Sequence, residues 1–63
     1  MTKLPVNTWR TIVEVRQLGA IGEFTKREYI VRAEAQDVVR YVLEDVAMDG
    51  LEPRFITHKE QLA

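Results

Sequence analysis

Residues 9–17 alternate strictly between two kinds of side chain. Trp9, Thr11, Val13 and Val15 share one face, and Arg10, Ile12, Glu14 and Arg16 share the other. A period of two, rich in β-branched residues, is the pattern of a strand buried on one side only. Residues 36–49 follow a different period. Val38, Val39, Val42, Leu43, Val46 and Ala47 recur at helical spacing and form an apolar stripe. With 63 residues there is room for one domain. The apolar face of the strand and the stripe of the helix must therefore cover each other. A chain of about 60 residues buries only about 60% of its unfolded surface, so a stability of a few kcal/mol is expected.

The remaining elements follow from their neighbours. Gly19 and Gly22 permit a chain reversal over residues 18–23. Beyond them Tyr29, Val31 and Ala33 alternate with Glu28, Ile30 and Arg32, which predicts a second strand within residues 24–33 and a β-hairpin. The helix is expected to begin near Ala35 or Gln36, with Glu34 and Asp37 at its positive end. Gly50 is placed to end it in a left-handed conformation, and Pro53 prevents its continuation. A short third strand is expected over residues 54–58, around Phe55 and Ile56. The predicted fold is α+β, ββαβ: three antiparallel strands in the order 2-1-3, with one helix packed on one face; the alternative places the third strand parallel beside the second. The predicted core spans about residues 8–58, with 1–7 and 59–63 loose.

Composition narrows the chemistry. There is no cysteine, hence no disulfide and no thiolate zinc site. There is also no serine, and His58 is the only histidine. Asp37, Glu44, Asp45 and Asp49 are spread around a helix, without the loop geometry of a calcium site. Gly19-Ala20-Ile21-Gly22 leads into a strand and lacks the lysine of a phosphate loop. The expectation is a non-enzymatic protein without cofactor or metal. No apolar run is long enough to span a membrane. Residues 1–5 are too short and polar for a signal peptide. A complete small gene product in the cytoplasm is expected.

Charge is unevenly distributed. Residues 1–32 hold six basic and three acidic side chains, whereas residues 33–53 hold one basic and six acidic. A basic hairpin followed by an acidic helix can orient a charged partner. The acidic helix and a pI near 5.7 disfavour nucleic acid as that partner.

Three surfaces are candidates for binding. On the helix, Tyr41 and Met48 lie about 20° apart on a wheel and roughly opposite the apolar stripe, framed by Asp37, Glu44 and Asp45. The hairpin tip carries Leu18, Ala20 and Ile21. The open sheet face and its edges, with Ile12 and Ile30 among charged residues, could pair with a second copy of the chain.

Several of these features are shared with a known family. Trp9 opens the first strand, the second ends in Val31-Arg32-Ala33-Glu34, a helix follows, and the last strand carries Arg54. This layout resembles the small RNA polymerase inhibitors encoded by short-tailed coliphages. The resemblance implies a ββαβ fold and stoichiometric binding in a host cytoplasm. It also implies polymerase contacts from an acidic residue of the first strand and arginines of the last. Glu14 and Arg54 stand at matching positions; His58 is the nearest basic residue where the family has a second arginine. A similar strand, Ala-Glu and acidic-helix pattern occurs in parts of a ribosomal large-subunit protein. The expected function is a protein-binding module, such as a phage-encoded inhibitor of a host protein. The alternative is an assembly subunit: a small homodimer or an RNA-contacting domain.

Overall fold

The computed structural model describes residues 6–63. Three strands and one helix succeed one another: β1 (Asn7–Gln17), β2 (Thr25–Ala33), α1 (Val38–Met48) and β3 (Leu51–Gln61). The strands form one antiparallel sheet in the order β2-β1-β3, as the alternation and the crossover helix imply. β1 is central: it pairs with β2 on one side and with β3 on the other. Its register with β2 is regular, running from Asn7 opposite Ala33 to Val15 opposite Thr25. Its register with β3 slips twice. Thr57 is extra between the pairs Ile12–His58 and Val13–Ile56, and both Arg54 and Phe55 oppose the single residue Glu14. Such bulges bend an edge strand and interrupt its ladder.

The core lies between α1 and the odd-numbered face of β1 and β2. Trp9, Val13, Val15, Tyr29, Val31 and Ala33 from the sheet pack against Val38, Val42 and Val46 from the helix. Two polar groups enter this layer, and each has a partner. Thr11 is fully buried and its Oγ1 donates to the Tyr29 carbonyl at 3.0 Å. Trp9 donates Nε1–H to the Ala33 carbonyl at 3.1 Å, and the Lys59 ammonium lies 5.5 Å from its ring.

The helix departs from the sequence expectation in two ways. Residues 35–37 form a 3-10 turn, and the α-helix proper starts at Val38. Only Val38, Val42 and Val46 are buried; Val39, Leu43 and Ala47 are exposed. The physical reason is the small width of the sheet. α1 begins beside the end of β2 and finishes beside the start of β3. A single helix crossing three strands touches them along a narrow line, and the i, i+4, i+8 positions fill it.

The C-terminal end of α1 closes as expected. Gly50 has φ +73°, and its N–H donates to the Ala47 carbonyl at 3.0 Å. The third strand does not stop at His58 and its end is not frayed. β3 reaches Gln61, and beyond it Leu62 and Ala63 exchange backbone hydrogen bonds with Thr8 at 2.8 and 3.1 Å. β1 is long enough to offer these residues partners whatever their side chains are. At the other terminus Asn7 already belongs to β1; the expected loose lead-in otherwise falls mostly on residues 1–5, which lie outside the described residues.

Candidate protein-binding surface

The hairpin and the end of the helix meet at one end of the molecule. The Leu18 N–H donates to the Gly50 carbonyl at 3.0 Å, which ties the first residue of the loop to the residue that stops α1. Gly19, with φ +79°, carries the reversal there. The loop cannot fold its apolar side chains back over a core that α1 already covers, so it presents them outward. Ile21 is fully exposed, Met48 is 84% exposed and Leu18 is 69% exposed. These are the three most exposed large hydrophobic residues described, and all three lie at this end.

Behind the loop, on the sheet face that the helix leaves open, Phe24 lies beneath two guanidinium groups. Arg16 and Arg54 sit 4.5 and 4.7 Å from its ring centre. With Gly22 and Glu23 these residues line a hollow of about 480 Å³. Both arginines already have partners. Arg16 pairs with Glu52 and donates to the Gly22 carbonyl at 3.2 Å. Arg54 donates Nε–H and Nη2–H to one oxygen of Glu14, at 3.0 and 2.6 Å. The bulge that sets Arg54 and Phe55 against Glu14 makes this contact possible. It also leaves Phe55 60% exposed beside Arg54. With its two cations paired and Glu23 added, the hollow has no surplus positive charge to attract an anion. The arginine–phenylalanine stack instead orders the base of the loop.

The residues expected from sequence to bind a partner thus divide between surfaces. Leu18 and Ile21 in the loop and Met48 at the end of α1 all belong to the hairpin end. Glu14 and Arg54 meet on the open sheet face nearby, bound to each other. The helix cluster is dispersed. Tyr41 is only 37% exposed, and the Arg40 guanidinium lies 5.0 Å from its ring. Asp37 pairs with Arg40 at 3.6 Å. Asp45 is half-buried beside Tyr29, whereas Glu44 is exposed. Measured from the buried stripe, Tyr41 and Met48 lie about 100–120° around the helix, on its Asp45 flank rather than diametrically opposite. Met48 belongs with the hairpin end because it is the last residue of α1, about two turns beyond Tyr41.

Sequence reasoning missed Phe24, Phe55 and Arg16 as parts of this surface. An aromatic residue directly after a glycine-rich loop was the available signal for Phe24. It also missed Tyr29, whose hydroxyl bonds to Asp49. Burial raises the Tyr29 phenol pKa, and the Asp49 carboxylate adds to the shift through its hydrogen bond and its charge. Among the described residues no three His, Cys, Asp or Glu side chains are grouped to hold a metal ion. No described helix is long and apolar enough to cross a membrane. Comparison with protein-family models, curated proteins and solved structures finds no match to this chain.

Proposed function

We propose that this chain is a non-enzymatic protein-binding module that docks through its hairpin end. One observation carries the reading: Ile21, Met48 and Leu18, the most exposed large hydrophobic residues described, all belong to the hairpin loop and the helix end that the Leu18–Gly50 hydrogen bond joins. Singly exposed apolar side chains need no explanation, but a cluster at one tip is a typical docking feature. The Phe24–Arg16–Arg54 stack holds the base of the loop, which lowers the entropy lost when the tip enters a partner. The partner surface that fits is an apolar cleft on another protein.

The resemblance to phage-encoded inhibitors makes bacterial RNA polymerase the first partner to test, with inhibition by stoichiometric occupation of a surface. In this chain a contact through Arg54 must share that side chain with Glu14, whereas the tip side chains have no competing partner among the described residues. Immobilised wild-type protein is expected to bind the polymerase, and Ile21→Asp with Met48→Asp to lose at least about 30-fold in affinity at unchanged melting temperature. Absence of wild-type binding removes the polymerase as target. Binding that survives both substitutions removes the hairpin end as the docking surface.

A further inference from the structure

The sheet has two outer edges, and they differ. β3 is interrupted by two bulges and contains Pro53, which has no N–H to offer. Bulges and proline are the usual means of blunting an edge. β2 has neither: its nine residues pair with β1 without a slip. Among the described residues no strand lies beside its far side. The Tyr29 carbonyl receives the Thr11 hydroxyl and so points towards β1. By alternation, Lys26, Glu28, Ile30 and Arg32 direct their N–H and C=O groups outward. The side chains of these four residues are exposed.

We infer that β2 pairs with the β2 strand of a second copy, antiparallel about a two-fold axis at Ile30, to make a continuous six-stranded sheet. Charge selects this register among those centred on the middle of the strand. Centring the axis on Lys26, Arg27, Glu28 or Arg32 sets that residue against its own copy. Centring on Tyr29 sets Lys26 against Arg32, and centring on Val31 sets Glu28 against Glu34. Like charges directly opposite one another destabilise a strand pair. Centring on Ile30 brings Ile30 onto Ile30 of the partner, Glu28 onto Arg32 and Lys26 onto Glu34, each twice. Lys26, Arg32 and Glu34 make no ion pair among the described residues. The self-pairing therefore supplies partners to Lys26 and Glu34, which have no ion pair among the described residues, and adds Arg32 to a Glu28 that Arg10 already holds. The hairpin ends stay free at opposite ends of the dimer, so this inference stands or falls independently of the docking surface proposed above.

The test is sedimentation equilibrium from micromolar to millimolar concentration. Wild type is expected to show concentration-dependent dimerisation. Arg32→Glu and Glu28→Lys each oppose two like pairs and are expected to weaken self-association by about tenfold or more. An equimolar mixture of the two variants restores opposite charges at every position, and its dimerisation is expected to return. Ile30→Pro removes one outward N–H without touching the β1 ladder and is expected to abolish association. Trp9 near-ultraviolet circular dichroism reports that each variant is folded. A wild type monomeric throughout, single charge variants that associate as well as wild type, or a mixture that stays monomeric would each overturn the inference.

Discussion

The Tyr29 hydroxyl donates to Oδ2 of Asp49 across 3.0 Å, joining edge strand β2 to the C-terminal cap of α1. Arg27, two residues earlier on the same strand, reaches the same oxygen at 3.5 Å. The helix end is thus held to the sheet by a polar clamp beside the valine layer. Asp49 also stands one residue before Gly50, whose carbonyl receives the hairpin. The clamp, the helix stop and the loop form one connected end.

This clamp makes stability depend on alkaline pH. The Tyr29 pKa is raised from 10.0, first by burial and then by Asp49. A group whose folded pKa is raised stabilises the fold fully below its unfolded pKa and ceases to do so as pH rises through the folded value. Denaturant titrations of wild type are therefore expected to show stability falling above about pH 10. Tyr29→Phe is expected to cost about 1 kcal/mol at neutral pH and to flatten the alkaline fall. An unchanged alkaline profile in Tyr29→Phe assigns the effect to another group.

The narrow packing line of α1 has its own test. Val13→Ala and Val42→Ala remove fully buried methyl groups and are expected to cost about 1–3 kcal/mol each. Val39→Ala and Leu43→Ala, at 45% and 40% exposure, are expected to cost less than about 1 kcal/mol. Urea unfolding of the four variants separates a three-valine stripe from the wider one that periodicity alone suggests. Equal losses at Leu43 and Val42 count against the structure described.

Gly50 isolates a backbone effect. A Cβ built there meets no atom within 4 Å, so the whole cost of Gly50→Ala is its φ of +73°. The expected loss is about 1–2 kcal/mol. Gly50→Asn is expected to lose less, because asparagine tolerates the left-handed region better. Thermal unfolding of both variants gives the order.

The Glu14–Arg54 pair joins residues forty positions apart, but the arginine side chain is 51% exposed. Solvent screening limits such a pair, and a double-mutant cycle with Glu14→Ala and Arg54→Ala is expected to give a coupling of about 0.2–1 kcal/mol. Phe24→Leu removes the ring beneath Arg54 and is expected to reduce that coupling. Coupling that survives intact in the Phe24→Leu background excludes the stack as its support.

Local periodicity is read one element at a time, and that is as far as the sequence determined this protein. The alternation at Trp9, Thr11, Val13 and Val15 identified the central strand and its buried face. Gly19 and Gly22 marked the reversal, and the spacing of Val38, Val42 and Val46 marked the helix and its inner side. These pieces leave two arrangements, the third strand beside the first or parallel beside the second, and the Val-rich first strand favoured the former, which is the order found. Tertiary structure decided whatever depends on width and register between distant segments. Val39, Leu43 and Ala47 fit the helical period as well as their neighbours do, yet a helix crossing three strands has no sheet left to cover them. Lys59, Glu60 and Gln61 carry no strand signal, yet β1 extends far enough to pair with them. The opposition of Arg54 and Phe55 to Glu14 arises from slips between β1 and β3, to which a period of two is blind. The meeting of Leu18, Ile21 and Met48 joins a loop to a helix end through one hydrogen bond at Gly50. Each of these depends on where two separated stretches of backbone come to lie beside one another, and only the folded chain specifies that.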